Sequence, residues 1–153
     1  MRYDRGAKAG LWILIGAVLL SPVPLSAAQT LQILLPESGS IYWEASFPEQ
    51  ATFILRHCNS IYDAWLEERF QGDRHGRIQL TAVKTAHPAV LEYHGLEASS
   101  ADWVPLVRSL DKIPLLVSKR GRLTLLFEHH SIPLSQNLPD GTRVEIRIIP
   151  TSE

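Results

Sequence analysis

Thr142 to Ile148 alternates without a break. Val144, Ile146 and Ile148 fall on one side, and Arg143, Glu145 and Arg147 on the other. Successive side chains of a strand point to opposite faces, so this period of two describes a strand with one face in a core and one in water. Pro139-Asp140-Gly141 just before it is a turn with a mechanism. Proline presets its φ, aspartate bonds back to the backbone, and glycine tolerates positive φ. Arg122 to Glu128 repeats the pattern with Leu123, Leu125 and Phe127, and Lys119-Arg120-Gly121 separates it from Ile113 to Ser118, which reads as a hairpin. Upstream, Ala51 to Cys58 and Tyr62 to Phe70 are strand-like, and Arg77 to Thr85 returns from the polar loop Gln71 to Gly76. Leu31 to Leu35 is a short first strand, which Ile41 to Trp43 continues at the edge. Short strands at this spacing predict an all-β domain, a small antiparallel sandwich or partly open barrel.

Ala86 to Lys112 breaks the pattern: it has no strand period and contains Pro88, Gly95 and Pro105. It reads as one long non-strand connection, with Ser99 to Trp103 capping a short helix and Pro105 in its first turn. Such a connection is either a surface excursion covering an open end of the sheet, the preferred reading, or a functional loop.

The N-terminus has the three parts of a secretory signal. Arg2, Arg5 and Lys8 make a positive start, Leu11 to Leu20 is uninterrupted and apolar, and Ser26-Ala27-Ala28 supplies small residues for cleavage after Ala28. A membrane anchor is the rival, but a spanning helix needs about 20 apolar residues, and Ser21-Pro22 ends this run early. Residues 1–28 are therefore expected to be a signal peptide and 29–153 a single exported domain, in the periplasm, with no membrane span after cleavage. Removing 28 of 153 residues leaves 125, enough for one core. The 15 basic and 16 acidic residues lose three and one to the signal, leaving 12 against 15, a net charge of −3. That balance gives no reason to expect a nucleic acid or an anionic membrane surface as partner. Cys58 is the only cysteine, so no internal disulfide forms; its thiol is either buried and inert, the reading its apolar surroundings favour, or available to pair with another chain.

No catalytic, metal or cofactor motif stands out. The six histidines, His57, His75, His87, His94, His129 and His130, lack the spacings of a local metal site. One built from His57, Cys58, His129 or His94 would need distant partners. No Gly-x-Ser-x-Gly element occurs, and His57 and Cys58, as strand neighbours, face apart. On the strand Tyr62 to Phe70, Glu68 shares a face with Ala64, Leu66 and Phe70, while Trp65, Glu67 and Arg69 share the other. An inward Glu68 must find a partner or a proton. The candidates are a salt bridge to Arg56, the preferred reading, a place at the sheet rim, or a polar contact in a ligand cavity. Trp43, with Tyr42 beside it, Trp65 and Trp103 are either core residues or stacking surfaces for a sugar or aromatic ligand.

Ile113-Pro114-Leu115-Leu116-Val117, Arg122-Leu123-Thr124-Leu125, Ile132-Pro133-Leu134 and Gly141-Thr142-Arg143-Val144 look like the closing strands of a family of small exported bacterial proteins. Asn59-Ser60-Ile61 followed by Leu66-Glu67-Glu68-Arg69-Phe70 is similar to that family's His-Ser-Val … Val-Glu-Glu-x-Phe segment. From about Ala51 to Ile149 the chain thus resembles the domain-of-unknown-function 1850 family. Asn59 stands where the family has His, and His87-Pro88-Ala89 where it has Gly-Ala-Gly. The resemblance implies a non-enzymatic accessory or binding role, often linked to tripartite TRAP-type solute uptake, with a transporter component or a small solute as partner. It points to Asn59, Ser60, Glu68 and His87 as contact residues. An envelope hydrolase and a ligand-free structural envelope protein are the alternatives. Sequencing the mature protein from the outer compartment should give Gln29 as the first residue; an intact Met1 in the cytosol would overturn the export reading.

Overall fold

The computed structural model describes residues 29–97, 99 and 101–150. The signal-peptide segment 1–28 lies outside the described residues. Ten strands and two short helices follow in the order β1 (Gln29–Leu35), β2 (Ser40–Phe47), β3 (Thr52–Asn59), β4 (Ala64–Gly72), β5 (Ile78–Lys84), α1 (Pro88–Tyr93), β6 (Val104–Leu110), β7 (Ile113–Leu116), β8 (Thr124–Phe127), β9 (His130–Ile132), α2 (Leu134–Asn137) and β10 (Arg143–Ile149). They make two antiparallel sheets, β2-β1-β10-β7 and β6-β5-β4-β3-β8-β9. The sheets pack face to face as a β sandwich; no barrel closes. Among the described residues no helix is long and apolar enough to cross a membrane.

The alternation seen in the sequence supplies the core. Leu31, Ile33, Val144, Ile146 and Ile148 are buried from the smaller sheet, and Phe53, Leu55, Leu66, Phe70, Leu125 and Phe127 from the larger. Phe47, at the end of β2, ties the layers together. Its ring lies 6.1 Å from Phe53 and 5.2 Å from Phe127, and Phe53 stacks on Phe70 at 5.2 Å. Such pairs add about 0.5–1.5 kcal/mol each beyond the area they bury.

Three expectations are corrected. The segments 113–118 and 122–128 do not form a hairpin: β7 pairs with β10 in one sheet, and β8 with β3 in the other. The chain crosses between layers at residues 118–123 because neighbouring groups hold it there. The buried Ser135 hydroxyl donates to the Ser118 carbonyl at 2.7 Å and accepts the Leu123 N–H at 2.7 Å. The Lys119 ammonium donates to the carbonyls of Ser135 (2.6 Å) and Leu138 (2.9 Å), and Arg122 takes a left-handed φ of 48°. Second, the stretch Ala86 to Lys112 contains a strand. β6 is the edge of the larger sheet, where Pro105 costs no ladder bond on the open side. An edge strand is covered little, and Val107 is 80% exposed, so no apolar period marks it. Third, the helix in this stretch is α1, with Pro88 in its first turn, and not a helix capped at Ser99 to Trp103; residues 101–103 are a bend. α1 lays Val90 and Leu91 into the core.

Two glycines are required by contact. A Cβ on Gly72 would meet the rings and methyls of Phe47 and Ile148 at 2.6 Å. Gly76 closes the turn that Asp73 organises by accepting the N–H groups of His75 and Arg77. It has a φ of 80°, and a Cβ there would stand 2.7 Å from the Ile148 carbonyl oxygen. Gly76→Ala should therefore lower the unfolding free energy by about 2 kcal/mol in urea titration, from backbone strain and the contact together; an unchanged midpoint would contradict this.

Candidate functional site

The outward face of the larger sheet carries the most organised polar surface. β4 presents Trp65, Glu67 and Arg69 there, as its alternation predicts. The strand register sets Lys84, Glu67, Arg56 and Thr124 side by side across four strands. Opposite charges directly across a sheet attract, and here the sign alternates from Lys84 to Glu67 to Arg56. Two guanidinium nitrogens of Arg56 reach Glu67 Oε1 at 2.6 Å. Lys84 Nζ also reaches the Asp102 carboxylate at 2.7 Å. Arg69 lies 3.9 Å above the centre of the Trp103 ring.

Trp65 sits two residue pairs further along on the same face, opposite Cys58, and is 47% exposed. It forms a wall shared by two grooves. One, of about 560 Å³, lies over β8 and beside α2, with Arg122, Thr124, Pro133 and Gln136 around it. The other, of about 440 Å³, lies toward β5, with Glu67, Lys84, Ser99 and Asp102. Both fall in the usual size range of ligand sites. The other two described tryptophans are half-buried: Trp103 under Arg69, and Trp43 edge-on to Phe127 at 6.5 Å. Arg122 stands 5.8 Å from the Trp65 ring centre. No carboxylate pairs with it among the described residues.

Three of the four residues picked out by sequence gather elsewhere, at the β3–β4 turn. Asn59 Oδ1 accepts the N–H groups of Ile61 (3.0 Å) and Tyr62 (3.3 Å), so this side chain shapes the turn. Ser60 is exposed at its tip. His87, which leads into α1, stacks on Tyr62 at 4.9 Å, and its buried Nδ1 has no hydrogen-bond partner among the described residues. Glu68 is apart from them. It lies on the inner face in a row with Leu55 and Val83, as an inward carboxylate. Its partner is His57, with Nε2 3.2 Å from Oε2, and not Arg56. Register explains the difference, since Arg56 stands across from Glu67 on the opposite face. The remaining chemistry is quiet. Burial and the Asp63 carboxylate, 3.4 Å from the Cys58 sulfur, push the thiol pKa up against the pull of Arg122 and Arg120. Among the described residues no three His, Cys, Asp or Glu side chains converge as metal ligands.

Compared with protein-family models, curated proteins and solved structures, the chain gives no match.

The pair Arg122 and Trp65 was only half legible. The exposed parity of Trp65 was readable from β4. The alternation places Arg122 at the start of a strand, and nothing local marks its guanidinium as one without a carboxylate partner among the described residues.

His94, just past α1, faces Glu68, Arg108 and His57. Burial holds its pKa below the ordinary histidine value; Arg108 and His57 add to this, and Glu68 opposes it. The unfolded chain then takes up the proton first as pH falls. This contribution to stability is complete above the ordinary histidine pKa and is lost as pH falls through the folded one. Urea midpoints should drop between pH 7.5 and 5, and His94→Gln should flatten that drop; an equal drop in the variant would refute the assignment.

Proposed function

We propose that the chain is an exported, non-enzymatic binding domain that engages a small solute or a partner protein through the Trp65 face. A transport accessory role, such as service to a TRAP-type uptake system, fits the resemblance of the 51–149 region. The signal-like N-terminus supports export. The observation that carries the binding reading is a half-exposed tryptophan between two grooves, on a face whose carboxylates already have cationic partners. Leaving a large indole half in water costs hydration free energy that a ligand would recover. Binding is favoured over catalysis because the Cys58 thiol is held protonated, and His57 and Glu68 satisfy each other.

The tagged mature protein should capture a transport component from envelope extract, or shift its melting temperature with a small solute. Trp65→Ala should weaken either interaction about 30-fold or more, the loss of about 2 kcal/mol expected when a central aromatic contact is removed. The substitution should leave stability within about 1 kcal/mol, as for a surface residue. Undiminished capture or an undiminished ligand shift in the variant would end the proposal.

A further inference from the structure

We infer that the Trp65 face takes an acidic oligosaccharide, laid across the indole with a carboxylate-bearing ring in the Arg122 groove. This rests on the binding reading above and specifies the ligand.

The first argument is shape. In the sheet order the two grooves lie on opposite sides of β4, and Trp65 is the lining residue they share. A compact solute fills one groove. A ligand that fills both must cross the indole, so it is chain-like and rests an apolar surface on the ring. A pyranose suits this: its ring carbons present a C–H face to an aromatic surface, and its hydroxyls project sideways into the polar walls. An extended peptide suits it less. β3 and β4 are interior strands with both edges paired, so the face offers no backbone ladder for a peptide strand to join.

The second argument is the unequal chemistry of the two sides. Toward β5, Glu67 and Asp102 are neutralised by Arg56 and Lys84, yet their oxygens keep lone pairs free. Such groups accept hydroxyl donors and neither attract nor repel an ion strongly. Toward α2, Lys119 is committed to the carbonyls of Ser135 and Leu138. Arg122 has no carboxylate partner among the described residues. Its planar fork matches a carboxylate in two parallel hydrogen bonds. Arg122 also holds a φ of 48°. Strained backbone of this kind persists where its surroundings fix it, here at the crossover between the sheets. The cation therefore projects from a fixed base beside the indole.

Titration calorimetry and tryptophan fluorescence on the chain from Gln29 to Glu153 test this with three probes: trigalacturonate, galacturonate and the neutral cellotriose. Trigalacturonate should bind at least tenfold tighter than either of the others and change the indole emission. Trp65→Ala should abolish binding of both trisaccharides. Arg122→Asn, which tolerates the left-handed backbone, should bring trigalacturonate down to the cellotriose level. If that variant does not fold, Arg122→Lys keeps the charge without the fork and should lose at least half of the preference on a logarithmic scale. Galacturonate binding as tightly as its trimer, a preference untouched by either Arg122 variant, or no saccharide binding overturns the inference. If saccharides fail but Trp65→Ala still abolishes envelope capture, the binding reading stands and the ligand assignment falls. If Trp65→Ala changes nothing in either assay, both fall.

Discussion

Phe47 is the residue on which the sandwich depends. It comes from the smaller sheet, and its ring lies against Phe53 and Phe127 of the larger one. Two sheets with apolar inner faces attract at any offset, because burial has no direction. An aromatic ring between two others does have direction, and so fixes how one layer sits on the other. The fit leaves no spare volume: the ring stands where a side chain at position 72 would be, which is why Gly72 is there. With the layers fixed from inside, the outer face of the larger sheet need not contribute to the core. It can carry a half-exposed indole and a row of alternating charges.

The fold was largely readable because its strands differ from water-facing chain in a local way. Val144, Ile146 and Ile148 declare a face from within seven residues. What local pattern does not hold is the choice of neighbour. Segments 113–118 and 122–128 are adjacent and both strand-like, so a hairpin was the economical reading. The bonds that send them to different sheets run to Ser135, Leu138 and Thr142, all distant in sequence, with Lys119 of the crossover reaching the first two. β6 was invisible for another reason: an edge strand buries too little to leave a period.

The polar side chains followed the same division. That Glu68 points inward was legible from parity. Which base it meets was set by register, and register belongs to the pair of strands. On the outer face, exposed ion pairs such as Arg56 with Glu67 add at most about 1 kcal/mol each to stability. Their larger effect is on what the face attracts. Paired charges leave a surface that is polar but locally neutral, against which the guanidinium of Arg122, with no carboxylate partner among the described residues, stands out beside the indole.

The crossover at residues 118–123 serves as a seam between the layers, and that seam is also the wall of a groove. Ser135 closes it by bonding both ends, and Lys119 fastens it to the carbonyls around α2. Arg122 hangs from the same short loop. A ligand bound there, as proposed, would therefore be mechanically linked to the cohesion of the two layers. It would brace the join, and loosening the join would slacken the grip on it. In such an arrangement, drift at Ser135 or Lys119, which themselves line the groove, would loosen the join and reshape the groove together.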